Sequence, residues 1–320
     1  MSSHQVTVVG GGIAGIACAR LLSEAGEQVR VLDRGRVPGG RMATRALPTR
    51  TGRRVDTGAS YFTVRDPGFR AVVDDWAARG LARPWTDTFA VLQAGVVTER
   101  KSGPVRWSAP GGLRSLVEDL ATGLDVTGDT HVQSVRSGTV DGQPAGTVVL
   151  AMPDPQALQV LDGSLIDERA ALADRAWDPV LALVARWPER SWDWDGAFVH
   201  GSDVVDWLAD DGTRRGDGAP VLVAHSTPAF AATRLVDPPA AAAELVAGVR
   251  AAAGLGEPVE VQHVQRWTYA KPVGTREASY FLGEQRVGLC GDGWGASKIE
   301  AAWASGTALA KAVLAQPVLG

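Results

Sequence analysis

The sequence predicts an α/β chain of two domains. A parallel, Rossmann-like sheet is built from both ends of the chain, and an α+β domain on an antiparallel sheet is inserted between them. Three observations predict this. A βαβ unit with a glycine-rich turn opens the chain at residues 5–33. A strand, a glycine turn and a helix of the same logic close it at residues 286–315. Between these ends, short strand-like runs dominate. With 320 residues, 45% of them hydrophobic and 21% charged, the chain can fill two such cores and is not a disordered one.

The elements follow in order. Residues 5–9 (QVTVV) are an apolar run that meets GGGIAG at 10–15, then an apolar-periodic helix from 13 to about 25, which Gly26 ends. Residues 28–32 (QVRVL) form a second strand closed by Asp33. Residues 34–58 are rich in Gly, Pro and Arg and read as loop, with Arg45, Arg50, Arg53 and Arg54 solvated. Residues 59–64 read as a strand and 67–80 as a helix. Strands are expected at 88–93, 96–100 and 104–107, followed by the turn APGG and a helix near 112–121. Residues 124–136 and 146–151 alternate as strands do. Farther on, strands at 180–186, 220–225 and 258–266 mix with an Ala-rich helix at 239–253. At the end, RVGLC (286–290) is a strand, GDGWG a tight turn and 297–315 a helix. The expected domains are 1–62, 105–160 and 270–320 for the dinucleotide half, and 63–104 and 161–269 for the inserted half.

Composition narrows the function classes. A formal net charge of −4 argues against nucleic acid, whose phosphates need a basic footprint. The two cysteines, Cys18 and Cys290, exclude a disulfide scaffold or a Cys-rich metal site, and both read as buried small residues. The five histidines have no metal-ligand spacing, so no metal is expected. His225, after the apolar run VLVA, reads as a structural histidine and is the one that merits inspection. No leader pattern opens the chain and no apolar run nears the roughly 20 residues of a membrane span, so the cytoplasm is the expected location. Eleven Trp against three Tyr suggest core anchors or a pocket walled by indole.

The chemistry starts at Gly10-x-Gly12-x-x-Gly15. Gly10 supplies the turn's backbone angles, Gly12 lets a pyrophosphate approach the backbone, and Gly15 lets helix and strand pack closely. The N–H groups of Ile13, Ala14 and Gly15 open the helix toward phosphate oxygens. Asp33, about 20 residues on, can hold two ribose hydroxyls, and it would repel a 2′-phosphate. A second GD turn at Gly291-Asp292 opens another helix, where Ser297 and Glu300 have the spacing of a capping box. One dinucleotide-binding strand–turn–helix has no need of that second turn, so the pair points to FAD.

VVGGGIAG, Asp33, PGGRM at 38–42 and VDTGASYFT at 55–63 together resemble the amine-oxidase-like flavoproteins. The short length and the DTGASYF wording resemble the renalase-type members most. APGGLRSLVEDLA, VVLAMP and RWTYA are weaker echoes, and residues 160–260 carry little of the resemblance. The resemblance implies a Rossmann-like FAD-binding domain of the glutathione-reductase or p-hydroxybenzoate-hydroxylase type, with noncovalent FAD. It places Arg34, Gly40, Arg41, Met42, Gly58, Ala59, Ser60, Gly291, Asp292 and Glu300 at the cofactor with the first glycine turn and Asp33. It makes Trp294, Tyr61, Trp267 and Tyr269 the aromatic surfaces of the catalytic cavity. Lysines of this superfamily can hold a water at flavin N5, but Lys271 reads as exposed. The implied reaction is hydride transfer from a small molecule to flavin N5, with reoxidation by O2 to H2O2. By the resemblance, oxidation of dihydronicotinamide compounds, the isomeric forms of NAD(P)H, back to NAD(P)+ ranks first, and the absence of apparent acid–base machinery agrees, since an aromatic pyridinium product needs none. Oxidation of an amine or another small metabolite is the alternative, and a flavin-binding protein without turnover is the third. The expected assembly is a monomer or a homodimer.

Overall fold

The computed structural model describes residues 5–47 and 52–316, so His4 and Arg50 lie outside the described residues. The chain divides into two compact units, one of residues 1–41, 117–176 and 272–320, the other of residues 42–116 and 177–271. These limits differ from the expected ones. Residues 42–62 and 105–116 join the second unit, because the strands Thr44–Ala46 and Arg54–Asp56 form their own small sheet and Phe62 bridges to Trp107. Residues 161–176 join the first unit, where the helix Ile166–Leu172 packs beside the strand Val287–Leu289.

The first unit is built on an eight-stranded sheet. Its parallel core runs in the order Val287–Leu289, Gln143–Leu150, Gln5–Val9, Gln28–Leu32, Asp125–Thr127. Val6, Val8, Val148 and Leu150 are buried, and so are Thr7, Thr147 and Val149, which alternate with them along the strands, as when both faces of a parallel sheet are covered. The helices Ile13–Glu24 and Ile299–Ala315 pack against each other. Only Asp125–Thr127 and Val135–Arg136 are strands within the stretch 124–136, and the helix Asp154–Val160 was not expected.

The second unit is a seven-stranded sheet in the order Glu260–Pro272, Trp177–Arg186, Val221–Ser226, Val205–Asp210, Gly196–His200, Arg83–Gln93, Val96–Ser108. The three strands expected at 88–107 are one long hairpin, and Gly196–His200 and Val205–Asp210 were not anticipated. Leu181, Leu183, Leu208 and Ala224 face the helix Ala242–Ala253 through its Leu245, Val246 and Val249. Trp187, Trp192 and Trp194 belong to this core, which is where part of the tryptophan excess goes. The other face packs Ala182, Val184, Val221 and Val223 against Leu47 and Val55.

Two local expectations fail in this unit. Residues 59–64 are an extended segment with one bridge at Phe62, not a strand. Arg53 is not solvated: its side chain is 12% exposed and pairs with Asp211 at 2.6 Å and with Asp217. Burying the Asp211 carboxylate beside Arg53, Arg214 and Arg215 explains why, since a buried charge needs its partner.

Candidate functional site

In the first unit, the strand Gln5–Val9 ends at a turn that cannot carry side chains. Gly10 has φ +115°, and a Cβ there would lie 2.5 Å from the carbonyl oxygen of Ala151. A Cβ on Gly15 would lie 2.0 Å from the carbonyl oxygen of Gly10, so the helix starts in direct contact with the turn. Gly12 caps the helix through its backbone alone, with no side-chain bond and no acid in the first turn, and a Cβ there would meet nothing within 4 Å. That open approach to an uncapped helix start, next to Ile13, Ala14 and Gly15, fits a pyrophosphate.

The surrounding residues lock the turn. The Asp33 carboxylate accepts from the backbone N–H of Gly11 and, at 2.6 Å, from that of Gly35. The 39–40 turn lies on the first one, with Gly39 N donating to Gly11 O at 2.8 Å and Gly40 close to the Cα of Gly12. Arg34 faces the side-chain amide of Gln156. Arg41, in the turn Gly40–Met42, forms a two-point ion pair with Asp292, one arm at 2.9 Å, and Met42 is buried. The Rossmann turn, the 39–41 turn and the GD turn therefore stand together in one unit.

Two expectations at the GD turn are corrected. Ser297 and Glu300 form no capping box: the last helix is capped by the Lys298 backbone, Glu300 lies in its first turn, and Ser297 Oγ donates to Asp292 at 3.2 Å. Trp294, expected as a wall of the catalytic cavity, is 6% exposed and packed in the core with Val9, Leu150, Val287 and Leu289. Its ring stacks on Phe281 at 6.3 Å and carries the Arg276 guanidinium 4.5 Å from its centre. Trp294 is a packing residue because aromatic, aliphatic and cationic neighbours already occupy its ring. Sequence reasoning missed Arg276 and Arg175. Both donate to the carbonyl of Gly293, and Arg276 also pairs with the buried Asp154 at 2.8 Å. Burial, then the Arg276 charge, pushes the Arg175 pKa down.

In the second unit, residues 56–61 lie across the sheet face away from the Ala242–Ala253 helix, pinned there by side chains. Trp267 Nε1 donates to Thr57 O at 2.6 Å, Trp207 Nε1 donates to Ser60 Oγ at 3.0 Å, and Arg214 donates to Asp56 O and Ser60 O. Gly58, Ala59 and Ser60 are thus held by a pinned backbone. Trp267 is one of the pins, its ring partly buried against the cluster of Leu47 and Val55. Tyr61 completes an aromatic group with Phe89 at 5.1 Å, Trp207 at 5.8 Å and Trp85 at 6.3 Å. Burial raises its phenol pKa, with the Arg106 charge opposing. Tyr269 is half-buried on the strand of Trp267, in the same alternation as Trp267 and the exposed Lys271.

The same face carries two titratable groups, His225, which the sequence singles out for inspection, and Asp206, which it does not. His225 pairs in register with Trp207 and Ala182. It is not the satisfied structural histidine expected, because Nε2 is hidden and has no hydrogen-bond partner among the described residues. Burial first, then the charges of Lys271 and Arg214, pushes its pKa down to about 3. Asp206 sits at a bulge in Val205–Asp210, and its Oδ1 is likewise hidden without a partner. Burial holds the Asp206 carboxyl above its ordinary value, with Lys271 opposing and Asp178 adding. A carboxylate inside the strand VDWLAD was the available signal. Among the described residues no helix is long and apolar enough to cross a membrane.

Comparison with known proteins agrees with this geometry. Residues 8–76 match a family model described as an NAD(P)-binding Rossmann-like domain. A hydroxyneurosporene desaturase from Rubrivivax gelatinosus is 40% identical over 65 residues, which is 20% of this chain and 12% of that protein. A putrescine oxidase solved with putrescine bound superposes with TM-score 0.73 at 16% identity, over 98% of this chain and 100% of that one. A protein from Exiguobacterium sp. 255-15, solved as a candidate protoporphyrinogen oxidase, gives 0.74 at 17% identity over 99% of this chain and 100% of that one. The chain has a Rossmann-like dinucleotide-binding fold, and these two solved structures share its overall fold.

Proposed function

We propose that this chain is an FAD-dependent oxidase of small molecules, with dihydronicotinamide compounds, the isomeric forms of NAD(P)H, as its first-ranked substrates. The observation that carries the reading is the convergence in one unit of the uncapped turn at Gly12, Asp33, and the Arg41–Asp292 pair. Two phosphates need a helix start and a cation, and a ribose needs a carboxylate. When bound, the flavin would accept hydride from the substrate and return the electrons to O2, giving H2O2. The first helix would hold the pyrophosphate, Arg41 its charge, and Asp33 the ribose. The GD turn, braced by Arg175 and Arg276, would keep Asp292 in place. On the second unit's sheet, the half-buried Tyr61 and Tyr269 offer flat surfaces for a ring substrate.

Oxidation of an amine is the second reading. It is favoured by the Asp206 carboxylate and by likeness in fold to a putrescine oxidase. The test is anaerobic stopped-flow reduction of the holoprotein by α-NADH, 6-dihydro-NAD, β-NADH, putrescine and benzylamine. Rapid bleaching by a dihydronicotinamide isomer supports the first reading, bleaching by amines alone the second. Bleaching by none leaves a flavin-binding protein without turnover and overturns both. The released cofactor should run as FAD and not FMN, and should leave denatured protein entirely.

A further inference from the structure

Among its described residues the second unit hides two side-chain acceptor atoms without a hydrogen-bond partner, His225 Nε2 and Asp206 Oδ1. Val205 and Leu208 both pack toward the helix-covered side, and the register shifts between Val205 and Trp207. The strand therefore carries one extra residue, which puts Asp206 on the face of Trp207 and His225. The charges of Lys271 and Asp178 act on Asp206 in opposite senses. The imidazole of His225 has one backbone partner, Gly58. That bond favours the protonated ring, so the ring is the donor and the Gly58 carbonyl the acceptor. Because Nε2 is without a partner, the donor is Nδ1–H, and Nε2 carries the lone pair of the neutral ring.

A hidden lone pair without a donor is unfavourable, and its persistence points to a ligand that supplies the donor. Asp206 Oδ1 poses the same demand nearby on the sheet. Two acceptors would repel a carboxylate or phosphate and suit N–H. Trp207 lies opposite His225 in the register and is packed on Tyr61 and Phe89, so it backs this part of the sheet.

We propose that His225 Nε2 is a substrate-positioning acceptor, taking a hydrogen bond from an uncharged N–H group of the oxidised small molecule, with Asp206 as a second acceptor beside it. This rests on the oxidase reading and narrows it. A dihydronicotinamide would supply its carboxamide N–H, an amine its neutral nitrogen.

The test has a kinetic and a spectroscopic arm. In the kinetic arm, the holoprotein is reduced anaerobically by 1-benzyl-1,4-dihydronicotinamide, by the methyl ester that lacks the amide N–H, and by benzylamine. The amide should half-saturate at a concentration about tenfold below that of the ester, with a similar limiting rate. His225→Gln, which keeps an acceptor, should preserve the difference, and His225→Phe should abolish it. In the spectroscopic arm, holoprotein labelled with 15N-histidine is titrated with nicotinamide and with neutral benzylamine, the His225 signal being assigned by its absence in His225→Gln. Nε2 should begin as an unprotonated nitrogen and shift upfield with at least one probe. A signal that moves with neither probe overturns the proposal. So does an equal half-saturation for amide and ester in the parent, which requires no variant to fold. If no donor bleaches the flavin, the oxidase reading fails, and the spectroscopic arm still decides the acceptor.

Discussion

Arg41 and Asp292 stand 251 residues apart and meet in a two-point ion pair, with the Asp292 side chain 10% exposed and Arg41 29% exposed. The pair ties the turn after the second strand to the turn before the last helix. It also sets the charge at the proposed pyrophosphate, since Arg41 is already paired with a carboxylate before any phosphate arrives. Removing Arg41 leaves Asp292 unbalanced and would repel the cofactor, so Arg41→Ala should release FAD. The expected loss is about tenfold or more in affinity, with a stability cost of about 1–3 kcal/mol after allowing for the pair's partial exposure. Asp292→Asn, which keeps the shape, should cost less stability. Flavin retention through dialysis and thermal melts of the two variants and the double variant check this. Retention equal to the parent in Arg41→Ala removes Arg41 from the cofactor site.

Asp33 gives a second test. Its carboxylate accepts from Gly11 N and Gly35 N, which hold the glycine turn open for a ligand. Asp33→Ala should therefore weaken FAD binding about tenfold or more, at roughly 1.5–3 kcal/mol for each charged hydrogen bond lost. The fold should survive, because the strand Gln28–Leu32 remains paired on both sides. Equilibrium dialysis and circular dichroism on the same sample separate the two effects.

What was legible in the sequence is what local chemistry dictates. Gly10 and Gly15 announce themselves because a side chain at either would strike backbone. The strands Gln5–Val9 and Gln28–Leu32 show because each is a short run rich in Val, the first beside the glycine turn and the second beside Asp33. The second unit hides its pattern for specific reasons. The Asp206 bulge breaks the two-residue alternation of its strand. Residues 59–64 have strand-like composition, but the Arg214 side chain takes the Ser60 carbonyl that a neighbouring strand would, while Trp207 holds the Ser60 hydroxyl. Arg53 looked solvated because its partner Asp211 is 158 residues away. Trp294 looked like a cavity wall because its place after the GD turn says nothing of Phe281 or Arg276, which meet it only in the fold.

Trp294 now carries a different prediction. As a core residue touching Phe281 and Arg276, its truncation should leave a cavity and free the Arg276 guanidinium from its ring. Trp294→Ala should cost about 3–5 kcal/mol and lower protein yield and bound flavin together. Trp294→Phe should recover most of both. A stable, flavin-loaded Trp294→Ala protein whose anaerobic reduction alone is slow would return the residue to the catalytic cavity.

The last prediction is a pH dependence of stability. His225 is held neutral down to about pH 3 by burial and by the positive charges of Lys271 and Arg214. In the unfolded chain it would titrate near its ordinary value of 6.5. Between those two values the unfolded state binds a proton that the folded state refuses. Stability from this group is therefore complete above about pH 6.5 and is lost progressively as pH falls toward 3. Asp206 acts with the same sign of proton uptake reversed: its raised pKa means the folded state takes up a proton first, which offsets part of the loss just above the ordinary carboxylate range. His225→Gln removes the histidine term and should flatten the melting temperature between pH 6.5 and 5, where carboxylates contribute least. Melts of parent and His225→Gln holoprotein across that window check the sign. Parallel slopes in the two proteins would show that His225 takes up its proton alike in the folded and unfolded chain, and would overturn the lowered titration argued from its burial.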